Sequence, residues 1–296
     1  MTTRRLVALV LAVVAIGCGG GGPGVGQQPA AEVPRFAPDT TMGAIQRKGE
    51  IVIGVKFDAP LFGFRDPAGG EVQGFDVDVG RAVAQSLGVR PRFVEAVSDD
   101  RIPFIQNGTV DLVLSTMTIT PQRAESIGFT DPYFVARGRI LVPEGSAITG
   151  IDALAGETVC TALGSTYELT LAEEAPEADL RLVERNSECL PLLRDGTVDA
   201  IVTDDVILTG FIIQDGSLRL VGDDLTTEAY GAGLAAGDEA FATFLDGVLD
   251  RFKADGRWTA AYQRWLGRFT GETREPPTQS LEDTLAGSPR ADRAGV

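Results

Sequence analysis

Thr118, Thr120, Pro121 and Arg123 stand close together in an order that sets up an unusual electrostatic arrangement. Thr120 followed by Pro121 is a good N-cap and first-turn pair, so a helix starts there. Arg123 then falls at the third helical position, where a capping box prefers Glu and the helix dipole disfavours a cation by about 0.3–1 kcal/mol. A guanidinium in that place can meet a carboxylate bidentately, beside the helix N–H groups and the Thr118 hydroxyl. The alternative is an exposed first-turn arginine. Further along, Gly164-Ser165-Thr166 joins a strand to a helical pattern, a turn whose backbone and helix start suit an anion. Asp204 ends another strand and can accept an ammonium group, unless it is a solvated turn residue. Between Arg123 and Asp204 a zwitterion fits, its carboxylate toward the first and its ammonium toward the second.

An internal repeat explains how such residues could face one another. Asn107-Gly-Thr-Val-Asp-Leu-Val-Leu-Ser-Thr116 and Asp195-Gly-Thr-Val-Asp-Ala-Ile-Val-Thr-Asp204 share a glycine turn after a helix and then an apolar strand with a polar carboxyl end. Two copies suggest two α/β lobes of one design. Ligands of such sheets bind beyond the carboxyl ends of the strands, so Ser115 and Thr116 face Thr203, Asp204 and Asp205 as two walls of one cleft. Short β-branched runs predict strands at 51–55, 92–96, 111–115, 139–142, 158–162, 199–203 and 231–236. Helical patterns at 76–87, 241–254 and 259–266 lie between them, which makes the fold α/β with mostly parallel sheets.

The chain has 296 residues, and 44% of them are apolar, enough for one or two domains with real cores. Lys and Arg number 26 against 42 Asp and Glu, and there is no histidine. That balance argues against nucleic acid, which needs a basic surface. The lack of histidine removes Ser-His-Asp and Cys-His catalysis and the commonest zinc ligand. No metal or cofactor is implied. The overall negative charge does not forbid an anionic ligand, because fields are screened beyond about 8–10 Å and a local cationic cluster decides affinity.

Arg4 and Arg5 precede an apolar run that ends at Gly17-Cys18, too short to span a bilayer but right for an export signal over 1–17. Ala15-Ile16-Gly17-Cys18 resembles a bacterial lipobox, which implies that Cys18 carries a lipid anchor. Residues 18–42 read as a flexible Gly/Pro linker and 271–296 as a disordered tail. With Cys18 acylated, Cys160 and Cys189 remain as a disulfide pair in an oxidising compartment, or as two buried thiols.

The stretches Gly49-Glu-Ile-Val-Ile-Gly-Val55, Gly74-Phe-Asp-Val-Asp-Val-Gly-Arg-Ala-Val-Ala, Gly108-Thr-Val-Asp through Thr120-Pro-Gln-Arg123 and Phe129-Thr-Asp-Pro-Tyr133 resemble the extracytoplasmic amino-acid-binding proteins of ABC transporters, over about residues 45–270. The resemblance implies two lobes, 43–138 with 231–270 and 139–230, joined by crossing strands near 136–141 and 227–233. It implies that Arg123, Thr118 and Thr166 hold an α-carboxylate, while Thr116 and Asp204 hold the ammonium. Lys56, Ser98 and Arg101 match positions that hold an acidic side chain, which points to glutamate, with aspartate next and asparagine or glutamine after them. The Cys160–Cys189 placement resembles that of glutamate-binding members. The implied partners are a free amino acid and an ABC permease; a monomer is expected, and no enzymatic activity. A sensory lipoprotein and a dehydratase-like enzyme on the same fold are the competing readings.

Overall fold

The computed structural model describes residues 33–288. The chain first builds α1 (Thr41–Lys48), β1 (Glu50–Val55), a small ribbon of β2 (Asp58–Ala59) and β3 (Gly63–Phe64), α2 (Phe75–Leu87), β4 (Arg90–Glu95), α3 (Arg101–Gln106), β5 (Leu112–Val113), α4 (Pro121–Ala124) and β6 (Gly128–Phe129). It crosses on β7 (Phe134–Pro143) to β8 (Thr158–Ala162), α5 (Thr166–Glu174), β9 (Asp179–Val183), α6 (Cys189–Arg194), β10 (Ala200–Asp204), α7 (Asp205–Gln214) and β11 (Leu218–Val221). It returns on β12 (Thr227–Tyr230) to β13 (Gly233–Leu234), α8 (Glu239–Ala254), α9 (Arg257–Tyr262), α10 (Arg268–Thr270) and α11 (Leu281–Ala286).

Two sheets result, in the orders β4-β1-β5-β13-β6 and β11-β7-β10-β8-β9, each the centre of one lobe. β4-β1-β5 and β10-β8-β9 are parallel, as βα alternation requires. The crossing is a short antiparallel ladder that pairs Phe134–Arg137 of β7 with Thr227–Tyr230 of β12. Phe62, Phe75, Phe134, Tyr230 and Trp258, all buried, pack ring to ring around it.

The repeat does the same work in both lobes. Asn107 and Asp195 each accept the N–H of the residue two further on, at 2.9 Å in both copies, which turns the chain through Gly108 and Gly196. Asp111 and Asp199 then accept a backbone N–H from the neighbouring strand, from Val52 and Thr158, each at 2.8 Å. Val110 and Val198 plug the two cores.

Three expectations are corrected or bounded. The 271–296 tail is not disordered over the part the structure describes: Arg274 pairs with Asp205 at 2.9 Å, the Leu281 N–H donates to Asp131 at 2.6 Å, and Leu281 and Leu285 pack on the first lobe. Two leucines four apart on a helix capped by Ser280 provide enough apolar contact, although the segment is polar on average. The linker also ends earlier than residue 42, since Phe36 stacks edge-on against Phe244 and Gln46 bonds to Pro34 and Phe36. The signal at 1–17 and the Cys18 lipid site lie outside the described residues. No helix among the described residues is long and apolar enough to cross a membrane.

Cys160 and Cys189 form a disulfide with Cα atoms 5.7 Å apart, fixing β8 to the start of α6. A loop of 29 residues is closed, and opening it costs about 3.5 kcal/mol on the chain-entropy model. The Cys160→Ala, Cys189→Ala double variant is expected to show that loss as a lower urea midpoint, with a steeper slope because the unbridged unfolded chain exposes more surface. A loss below about 1 kcal/mol would show that the bridge constrains little of the unfolded chain.

Candidate functional site

Seven of the wall residues stand at or shortly past the carboxyl end of a strand. Lys56 follows β1, Ser98 and Arg101 follow β4, Thr116 and Thr118 follow β5, Thr166 follows β8, and Asp204 ends β10. These seven and Arg123 line one cavity between the lobes, together with Ser165, Tyr167, Asn186, Thr203 and Ile207. The cavity measures about 10 Å³, space for roughly one water. An amino acid therefore enters only when the walls part.

Thr120 caps α4 as the sequence suggests, its hydroxyl accepting the Arg123 N–H at 3.2 Å. That cap aims the Arg123 guanidinium back over Thr118, whose carbonyl it meets at 2.8 Å, and across the cleft to the Gly164 carbonyl at 3.0 Å. Arg101 reaches the same Gly164 carbonyl at 3.1 Å and also donates to the carbonyls of Ser98, Ser115 and Thr116. Two guanidinium groups of one lobe thus hold a single carbonyl of the other. Gly164 must be glycine for this: its φ is +73°, and a Cβ there would sit 2.8 Å from Asp99 Cα.

Lys56 is almost fully buried, and its ammonium donates to Ser98 Oγ at 2.9 Å. Neither Lys56 nor Arg101 has a carboxylate of the described residues within ion-pair distance. Burial, with Arg101 nearby, lowers Lys56 to about 8, although the fields of Asp58, Asp204 and Asp76 oppose the shift. Burial and then Arg123 lower Arg101 to about 9. On the facing wall, Asp204 accepts the Tyr167 hydroxyl at 2.8 Å, and burial followed by the charge of Glu228 raises it to about 7.

Two acidic residues behind the walls had no role in the sequence reading. Asp76, fully buried, accepts the Thr116 N–H at 2.9 Å and the Tyr133 hydroxyl at 2.8 Å. It anchors Thr116 at φ +45°, a left-handed conformation that costs a threonine about 1–3 kcal/mol. The Gly74-Phe-Asp-Val-Asp stretch was a visible motif, but nothing in its spacing tied Asp76 to Thr116. Glu228, 3% exposed on β12, accepts the hydroxyls of both Thr118 (2.6 Å) and Thr166 (3.0 Å). A lone glutamate in a strand reads as solvent-facing, so no local signal could have found it. Ser115 and Asp205, expected as wall residues, point elsewhere: Ser115 Oγ donates to the Ala96 carbonyl, and Asp205 accepts from Arg137 N and Arg274 at the crossing.

The family model for bacterial extracellular solute-binding proteins, family 3, matches residues 51–268, most of both lobes. This chain belongs to that family. The solute-binding protein is 34% identical to the glutamine-binding protein GlnH of an ABC transporter from Bacillus subtilis, over 88% of this chain and 95% of that one. It is 33% identical to the glutamate-binding protein GluB of Corynebacterium efficiens, over 79% and 83% of the two chains. Among solved structures, an ancestral arginine-binding protein bound to glutamine superposes with a TM-score of 0.71 at 33% identity, covering 74% of this chain and 98% of that one. An ancestral amino-acid-binding precursor of cyclohexadienyl dehydratase gives a TM-score of 0.71 at 33% identity, covering 76% and 99%.

Proposed function

We propose that this solute-binding protein captures free L-glutamate outside the cytoplasm and delivers it to the permease of an ABC transporter, held at the membrane by a lipid on Cys18. The α-carboxylate is received by Arg123 and the start of α5, and the ammonium by Asp204 beside Thr116. The side-chain carboxylate is received by Lys56, Arg101 and Ser98. Relatives named for glutamine as well as glutamate bear on the choice. The observation that carries glutamate is Lys56, a buried ammonium with one hydrogen bond and no ionic partner among the described residues. A buried cation is stabilised far more by a carboxylate than by a neutral amide.

Calorimetry on the purified protein tests this. One L-glutamate per chain is expected to bind at micromolar Kd or tighter, about −8 kcal/mol or better, and at least tenfold more tightly than L-glutamine. Tighter binding of L-glutamine overturns the ligand assignment. Binding of no amino acid overturns the function.

A further inference from the structure

We infer that Arg185 and Glu95 form a clasp across the edge of the cleft, outside the ligand cavity. It fastens one lobe to the other after they meet and slows the release of whatever amino acid is held. This rests on the functional reading above and concerns how long a captured solute stays.

Glu95 ends β4 in the sheet of the first lobe, and Arg185 lies just past β9 in the sheet of the second. Arg185 Nε donates to Glu95 Oε1 at 2.8 Å and Nη2 donates to Oε2 at 3.0 Å. Such a two-pronged fork fixes orientation as well as distance, so it forms at one relative placement of the lobes. A second contact stands beside it. The Ser187 N–H donates at 3.1 Å to Oδ2 of Asp58, which lies on β2 of the first lobe. None of these four residues lines the ligand cavity, whereas their sequence neighbours Lys56, Ser98 and Asn186 do. The clasp therefore shuts beside the cavity wall without reaching the ligand.

The disulfide holds the second-lobe half of the clasp in place. Cys189, just after Ser187, is bonded to Cys160 on β8, the strand that leads to Gly164. One covalently braced piece thus carries both the clasp and the carbonyl gripped by Arg101 and Arg123. Within its own lobe Arg185 also pairs with Glu184 at 3.1 Å and with Glu188 at 3.8 Å. Those two carboxylates keep the guanidinium at the cleft edge, so reaching Glu95 costs little side-chain entropy. The Arg185 and Glu95 side chains are 37% and 30% exposed, so the clasp contributes as a partly solvated ion pair does.

Calorimetry and stopped-flow fluorescence on the full chain, with L-glutamate and with L-glutamine, test this. Arg185→Gln and Glu95→Gln, which remove one charge each, are expected to raise Kd by about two- to fivefold. The rise is expected in a faster release rate with association unchanged, because the fork forms only after the lobes have met. The factor is the same for each amino acid that binds, since the clasp touches none of them. The double variant is expected to bind no more weakly than the weaker single one, as two groups acting through one bond require. Arg194→Gln removes an equal charge from an ion pair within the second lobe, with Asp215 at 2.6 Å, and is expected to leave Kd unchanged. A single-variant loss below about twofold, or losses that multiply in the double variant, overturn the inference. Slower association, a loss that differs between the two amino acids, or an equal loss in Arg194→Gln also overturns it. Wild-type protein that binds no amino acid brings down the functional reading, whereas normal wild-type binding with unchanged variants brings down the clasp alone.

Discussion

Arg123→Ala is expected to lower the affinity for the proposed ligand, L-glutamate, by about 3–5 kcal/mol, the usual cost of leaving one partner of a buried ion pair without the other. That is two to more than three orders of magnitude in Kd. The effect is large because Arg123 is expected to act twice: in the function proposed above it receives the α-carboxylate, and it also bonds across the cleft to Gly164 O. Truncation removes a ligand contact and a closing contact together. Arg123→Lys keeps the charge but not the planar fork, so an intermediate loss is expected. Calorimetry measures both variants, with the thermal midpoint as a check on folding. A loss below tenfold for Arg123→Ala would mean that the guanidinium does not hold the carboxylate.

Asp204→Asn is expected to weaken binding by a similar amount and also to change its pH dependence. Burial raises Asp204 to about 7 from an ordinary 3.8. Between those values the unfolded chain has released a proton that the folded protein keeps, so this group makes stability fall as pH rises through that window. A bound ammonium favours the charged form, so affinity rises as pH climbs toward 7 and binding releases a proton below that point. The Asn variant loses this acid limb. It is also expected to be more stable than wild type without ligand above pH 7, because no carboxylate has to ionise at that buried position. On the alkaline side Lys56, held at about 8 by burial, must keep its proton to meet a side-chain carboxylate. Affinity for L-glutamate therefore falls above pH 8, whereas an uncharged side chain would show no such limb. Titrations from pH 5 to 9, in buffers of different ionisation enthalpy, read all of these. An unchanged acid limb in Asp204→Asn would remove the aspartate from the ammonium site.

Much of the architecture was legible because its signals are local. Gly-Thr-Val-Asp occurs twice since each lobe needs the same turn, the same valine plug and the same aspartate to hold a neighbouring strand. Parallel strands put their carboxyl ends on one side, so residues just past those ends could be gathered into one cavity on paper. Thr120-Pro121 aims Arg123 through a cap that depends only on nearest neighbours. The tail was misjudged for the converse reason. Average polarity hides a pair such as Leu281 and Leu285, whose contribution depends on an apolar surface contributed by distant residues.

From the sequence alone came the α/β class, the paired lobes, the cysteine pair as one of two options and the set of side chains at the strand ends. Tertiary structure decided which of those side chains have spare donors, which are turned outward, and what stands behind them. Arg101 bonds to four carbonyls, Asp76 anchors the left-handed Thr116, and Glu228 accepts two hydroxyls from different lobes. Caps, turns and periodicities involve residues a few positions apart. The partner of a hydroxyl and the cost of a buried charge depend on atoms that become neighbours only when the chain has closed.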